Sequence, residues 1–221
     1  MNTALITAGG SGVRMKCSKK KQFLAIKGKP VLQYTLEKFI SHPQIDEIVL
    51  VVPKEDIEEA QTICSDAGAS YIRLVCGGVT RQQSVINGLN ACPSETDIVL
   101  IHDGVRPFVN EDIITKLIVA AREHKAVIPV SKVRNTIKEV NGDIIKKTVP
   151  RKTLFNALTP QVFAYELILS CHQQARSINY QFTDDSSILE YFSIPVHVII
   201  TDDSNFKITE PYDLEIAGKL L

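Results

Sequence analysis

Short, continuously apolar runs recur along this chain, each followed by a longer stretch whose apolar residues fall at helical spacing. Residues 4–8, 48–52, 71–75, 98–101 and 126–130 are such runs. A strand that is apolar at every position has no solvated face, so these runs predict strands covered on both sides. The stretches between them predict helices. Residues 30–40 place Pro30 at the first helical position and carry Leu32, Leu36, Phe39 and Ile40 on one face. Residues 55–67 stop at Gly68, a capping residue, and residues 81–90 and 111–124 follow the same style. This alternation predicts an α/β, Rossmann-like fold: a mostly parallel sheet with helices on both faces. Right-handed crossovers then gather the strand C-termini, and any ligand, along one edge.

The rhythm changes after Val130. Residues 131–152 are polar and basic, and Asn141-Gly142-Asp143 separates two short runs, 137–140 and 144–147. Asn-Gly in that setting predicts a β-hairpin. A lone hairpin cannot bury its own apolar side chains. Residues 132–152 are therefore expected to protrude as an arm that packs on a second subunit, making a homodimer. Beyond the arm, residues 165–174 and 185–191 predict helices, 196–200 a strand, and a last helix starts at Pro211. No repeat or linker interrupts the pattern, so residues 1–221 read as one domain.

Composition removes several function classes. A chain of 221 residues supports one sizeable core. Lys and Arg total 25, as do Asp and Glu, so no whole-surface charge draws nucleic acid or a membrane. No apolar run approaches spanning length. The strand pattern begins at once, with no signal or transit peptide ahead of it, and a cytoplasmic protein is expected. Cys17, Cys64, Cys76, Cys92 and Cys171 are scattered without C-x-x-C spacing, which suits reduced thiols rather than disulfides or a zinc site.

The chemistry starts where the first strand ends. Ala8-Gly9-Gly10-Ser11-Gly12-Val13-Arg14-Met15 leads into Lys19-Lys20-Lys21-Gln22-Phe23. Glycines let backbone N–H groups approach a phosphate chain, and Arg14 and Lys21 can neutralise it. The spacing fits neither a P-loop nor a dinucleotide fingerprint. On their own the glycines read as a turn between strand and helix; with Arg14 and Lys21 in register they suggest a nucleoside triphosphate site. Gly77-Gly78 precedes the helix at 81–90, where free backbone donors and Ser84 can meet a base edge or simply cap the helix. Asp103 follows an apolar strand directly, which points its carboxylate into the ligand crevice or caps a turn. Mg²⁺ takes one or two carboxylates plus phosphate oxygens, so Asp103 is the candidate metal ligand. Arg106 reads as its buried partner and His102 as a satisfied core histidine.

Read together, these segments resemble the cytidylyltransferases that make 4-diphosphocytidyl-2-C-methyl-D-erythritol in the non-mevalonate isoprenoid pathway. The glycine loop, Lys21-Gln22-Phe23, Gly77 to Val85, His102 to Phe108, Val133 to Lys138, Val149-Pro150-Arg151, Leu158 to Phe163, Thr183-Asp184-Asp185 and Asn205 to Thr209 carry the resemblance in the family's order. It implies that Arg14 and Lys21 hold the triphosphate of CTP and stabilise charge at its α-phosphorus, and that Asp103 ligates Mg²⁺. Ala8, Gly9, Gly10, Gly12, Gly78 and Ser84 would surround the nucleotide, with Thr159 close by. Thr136, Arg151 and Lys207 would grip the acceptor phosphate, Thr136 and Arg151 from the second subunit's arm. The chain departs from the family in its lengthened lysine run and in Val79, where an acidic residue is common. Ribitol 5-phosphate cytidylyltransferases share most of these motifs and are the alternative. A non-catalytic nucleotide-binding module is a further one, and the joint presence of Arg14, Lys21, Asp103 and Lys207 argues against it.

Overall fold

A computed structural model describes residues 1–10 and 19–221, so the expectations for Gly12, Arg14 and Cys17 lie outside the described residues. Its central strands are β1 (Asn2–Thr7), β4 (Glu47–Val52), β5 (Arg73–Cys76) and β6 (Ile98–Asp103). Between β1 and β4 come the two-residue strands β2 (Ala25–Ile26) and β3 (Lys29–Pro30) and helix α1 (Val31–Ile40). Helices α2 (Ile57–Asp66), α3 (Arg81–Asn90) and α4 (Glu111–His124) connect the later strands. Then follow β7 (Ala126–Lys132), β8 (Ile137–Asn141), β9 (Ile144–Val149), β10 (Phe155–Ala157) and β11 (Gln161–Ala164). The chain closes with α5 (Tyr165–Ala175), α6 (Ser186–Tyr191), β12 (His197–Thr201) and α7 (Pro211–Leu220).

Eight strands form the main sheet in the order β10-β7-β11-β6-β1-β4-β5, with β12 paired to β7. β1 lies between β4 and β6, parallel to both, and Thr7 is level with Val51 and Asp103. β5 runs parallel to β4 and ends level with it, at Val52–Cys76. The turns after β1, β5 and β6 therefore leave the sheet along one edge. β7 carries β12 in parallel on one side. On its other side β11 and then β10 pair antiparallel with it. β11 also runs antiparallel to β6, with Gln161 opposite Ile101.

Alternating side chains explain the unbroken apolar runs. Ala4, Ile6, Leu50 and Leu100 join one core cluster with residues of α1, α2 and α4, including Leu36, Phe39, Ile63 and Leu117. Leu5, Val49, Val51, Val99 and Ile101 join the opposite cluster, with Val85, Leu89, Ile168 and Leu189 from α3, α5 and α6. Helix α3 sits close because Gly88 has no side chain. A Cβ there would lie 2.7 Å from Val51 Cγ2 and 2.9 Å from Leu5 Cδ1.

Several boundaries differ from the sequence expectation. The strand at 71–75 begins at Arg73 and runs to Cys76, because Ile72 closes a turn onto Ala69 O at 3.1 Å. Pro30 ends β3 and precedes α1 rather than opening it. A short 3-10 turn, Lys54–Asp56, precedes α2. The antiparallel strands β10 and β11 make the sheet mixed. The hairpin of residues 137–149 forms, with Gly142 at φ +56° and a bulge at Glu139/Val140. Among the described residues its strands pair with each other only, and Val140, Ile144 and Ile145 lie exposed.

Candidate active site

Three loops at the strand C-termini build a cavity of about 260 Å³. The first continues β1: Ala8 N donates to Val51 O at 2.8 Å. Gln22, almost fully buried, donates to Ala8 O at 2.8 Å and fastens the 3-10 turn Lys21–Phe23 beside that loop. The lysine run now separates into roles. Lys19 pairs with Glu59 at 2.8 Å, and Lys20 with Glu55 at 2.8 Å and Asp56 at 2.7 Å. Lys21 alone of the three lines the cavity, 7 % exposed, alongside Ala8, Gly9 and Gly10.

The second loop follows β5. Ser84 Oγ accepts the Gly78 N–H at 3.0 Å and donates to Thr80 O at 2.9 Å. Its single proton is committed, so it offers a nucleotide one remaining acceptor lone pair. Thr80 caps α3, accepting from Gln83 N at 3.0 Å. Gly78 and Ser84 both border the cavity, and Val79 beside them is fully exposed.

The third loop carries Asp103, which is 8 % exposed. Arg106 Nε reaches its Oδ2 at 3.0 Å and Lys207 Nζ reaches the same oxygen at 3.1 Å. Lys207 arrives from a distant segment sewn onto this turn. Arg106 Nη1 donates to Asn205 O at 2.9 Å, Ile208 N to Val105 O at 2.9 Å, and Asn205 Nδ2 to Thr159 O at 2.7 Å. Thr159 lies beneath Asp103 and lines a neighbouring space with Asp103 and Lys207. Its hydroxyl accepts the Asp103 N–H at 3.3 Å and meets His102 Nδ1 at 3.0 Å. Thr136 and Arg151 are both exposed at the base of the hairpin, where Arg151 Nη1 donates to Arg134 O. Neither borders the cavity, so one chain brings Lys207 to the site and leaves Thr136 and Arg151 outside it.

No group of three or more His, Cys, Asp or Glu side chains gathers to cage a metal among the described residues. A Mg²⁺ site of one carboxylate plus substrate phosphates still fits. Asp103 faces the cavity, and its Oδ1 takes part in neither ion pair.

Comparison with known proteins decides among the nucleotidyltransferase readings. The family model described as "IspD: 2-C-methyl-D-erythritol 4-phosphate cytidylyltransferase" matches residues 2–221. The enzyme of that name from Clostridium botulinum (strain Langeland) is 43 % identical, over 100 % of this chain and 97 % of its own length. That from Clostridioides difficile is 40 % identical over 100 % and 94 %. The crystal structure of 4-diphosphocytidyl-2C-methyl-D-erythritol synthase from Anaerococcus prevotii superposes with a TM-score of 0.86 at 36 % identity, covering 99 % of this chain and 95 % of that one.

This chain belongs to the 2-C-methyl-D-erythritol 4-phosphate cytidylyltransferase family. It is therefore a CTP-dependent transferase, and the ribitol 5-phosphate alternative gives way. Among its described residues, no helix is long and apolar enough to cross a membrane.

The charges of this candidate site in the cytidylyltransferase are fixed by their neighbours. Burial alone would raise the pKa of Asp103, but Lys207, Arg106 and Arg81 outweigh it and hold the carboxyl well below its usual range. His102 is fully buried, and that burial pushes its pKa down to about 4. The neutral ring has one proton, and its Nε2 faces Arg106 O at 3.1 Å. The proton must sit there, so Nδ1 accepts from Thr159. The directions then close: Asp103 N–H to Thr159, Thr159 O–H to His102, His102 N–H to Arg106 O.

Sequence reasoning missed a second buried carboxylate. Asp185 has no exposure; it binds Arg81 through both oxygens, at 3.0 and 2.6 Å, and meets His172 Nε2 at 3.2 Å. Arg81 lines the cavity with Lys21 and Asp103. The only signal was the presence of Arg81 and Asp185 inside two separate motifs. Nothing local joins residues 104 positions apart.

His102 gives a pH prediction. Its pKa is depressed by folding, so the unfolded chain binds the extra proton between the ordinary value of 6.5 and about 4. Stability contributed by neutral His102 is present above pH 6.5 and is lost as pH falls through that window. Urea unfolding at pH 7 and pH 4.5 should show wild type losing about 2–3 kcal/mol more than His102→Gln between those values. Parallel losses would rule out a buried neutral His102.

Proposed function

We propose that the enzyme joins CTP to 2-C-methyl-D-erythritol 4-phosphate at this cavity, with the residue roles that follow. The observation that carries the reading is the convergence of Lys21, Asp103 and Lys207 on one cavity at the parallel-strand edge. The glycine loop and Gly78 take the nucleotide, and Ser84 frames its base. A phosphate oxygen of the acceptor attacks the α-phosphorus of CTP in line. The bond from that phosphorus to the bridging oxygen of the β-phosphate breaks, and pyrophosphate leaves with the electron pair. The attacking oxygen is already anionic, so no protein nucleophile or general base is required. Catalysis is then positioning and charge stabilisation. Arg14 and Lys21 hold the triphosphate and offset the charge that builds during transfer. Asp103 holds Mg²⁺, which when bound neutralises phosphate oxygens. Thr159 and His102 keep the Asp103 backbone in place.

The acceptor site is completed by a second copy of the chain. Lys207 binds the acceptor phosphate from its own chain as a point charge, while Arg151, with Thr136, comes from the partner's hairpin and binds it bidentately. Support for this is the position of Thr136 and Arg151 outside the cavity, on a hairpin whose Val140, Ile144 and Ile145 are exposed. Cys64, Cys76, Cys92 and Cys171 are free, which suits a reducing cytoplasm. Burial pushes the Cys64 and Cys92 thiols up to about 11 and about 12, so both are core groups rather than nucleophiles.

Pyrophosphate release with CTP, Mg²⁺ and each acceptor tests the reading. Methylerythritol 4-phosphate should exceed ribitol 5-phosphate in kcat/KM by about 10⁴, the discrimination available to a site that bonds substrate hydroxyls. Lys21→Ala should lower kcat by about two to three decades, the usual cost of one such contact. Turnover with ribitol 5-phosphate alone, or wild-type kcat in Lys21→Ala, would contradict it. Light scattering at micromolar protein should give the mass of two chains. Removal of residues 133–147 should give a folded, inactive monomer, and a full-length monomer that turns over would exclude the shared site.

A further inference from the structure

One cation at the site has no part in the mechanism above. Arg81 borders the nucleotide cavity and also a second cavity of about 280 Å³, which Arg106, Thr159 and Asp184 help to line. Among the described residues only Asp103 and Lys207 share that double position. Arg81 therefore lies on the wall between the two spaces.

The structure beneath Arg81 is built to fix it. Asp185, wholly buried, holds both terminal nitrogens of the guanidinium. The Asp185 and Ser186 N–H groups both donate to Gln161 Oε1 at 3.0 Å, and Gln161 Nε2 donates to Asp184 Oδ2 at 2.6 Å. His172 Nε2, from α5, meets Asp185 Oδ1. A buried carboxylate is costly unless its oxygens are bonded, and this one is bonded throughout. A pairing that served only to join α3 to α5 and α6 would need no open face. Yet the Arg81 side chain is 36 % exposed. A guanidinium has five N–H bonds; among the described residues Asp185 takes two and no other hydrogen bond engages the rest. The position also answers a difficulty of the reaction. An anionic acceptor must approach an anionic triphosphate, and like charges at contact range repel unless a cation lies between them.

We propose that Arg81, clamped on Asp185, is a substrate-binding residue that takes the acceptor's phosphate at the wall between the cavities and holds it against the α-phosphate of CTP. The proposal rests on the function given above. It separates two jobs: Lys21 serves the triphosphate, and Arg81 serves the approach of the acceptor.

The test is steady-state pyrophosphate release by the full-length enzyme, with CTP binding measured by calorimetry. Wild-type turnover with methylerythritol 4-phosphate reads the proposed function itself; its absence would overturn that function and this proposal with it. Given wild-type turnover, Arg81→Gln should raise the acceptor KM by about tenfold or more and lower kcat, while the CTP Kd stays within about threefold. Guanidinium ion at tens of millimolar should restore part of the turnover of Arg81→Ala by lowering the acceptor KM, with the CTP Kd unchanged. An unchanged acceptor KM, or a CTP Kd that weakens in step with the acceptor KM, would overturn it. If neither variant folds, Arg81→Lys decides. It keeps the charge but loses the fork, so the acceptor KM should rise by about fivefold, and a wild-type value would overturn the proposal.

Discussion

The site depends on one constraint: a carboxylate at the end of a buried strand must be kept ionised out of bulk water. Asp103 is 8 % exposed at the last position of β6. Such a charge is tolerated only with close, well-directed partners. Arg106 supplies one within the same turn and Lys207 supplies the other from the far end of the chain. Securing Lys207 requires the segment around Asn205 to lie on the turn at 103–106, which the bonds of Asn205, Arg106 and Ile208 achieve. The same requirement explains the neutral histidine. A charged His102 would add a third positive group beside Arg106 and Lys207, and burial removes it.

A second clamp repeats this logic. Asp185 is paired with Arg81 as Asp103 is with Arg106 and Lys207. Burial acts against ionisation of Asp185 too, and Arg81 and His172 outweigh it, so its carboxyl also sits well below the usual range. The two carboxylates anchor three cations around adjoining spaces. Each cation is fixed before any ligand arrives, and fixed charges need no reorganisation when charge develops at phosphorus. The sheet supplies the frame: Thr7, Val51 and Asp103 are level, so the loop that carries Gly9 and the turn that carries Asp103 start from one rigid line.

Much of this was legible in the residues. The runs at 4–8, 48–52 and 98–101 are apolar on both faces because α1, α2 and α4 cover one side and α3, α5 and α6 the other. The helices at 81–90 and 111–124 were legible to the residue, because Thr80 and Asn110 cap them with their own side chains. The Asn141-Gly142 turn gave the hairpin. What escaped was long-range or short. β10 and β11 span three and four residues, too few for a period, and are fixed by pairing with β7 and β6. The three consecutive lysines look alike in sequence; Glu59 of α2 pairs with Lys19, Glu55 and Asp56 of the turn before α2 pair with Lys20, and Lys21 lines the cavity. The Arg81–Asp185 clamp joins two motifs that each read as local structure.

The most direct test of the account is turnover of Asp103→Asn with CTP, Mg²⁺ and methylerythritol 4-phosphate at saturation. The change keeps the size of the side chain and removes its charge. If the ionised carboxylate organises the site, pyrophosphate release should fall by about two to three decades, in a protein whose far-ultraviolet circular dichroism matches wild type. A folded Asp103→Asn enzyme that retains turnover within threefold of wild type would contradict it.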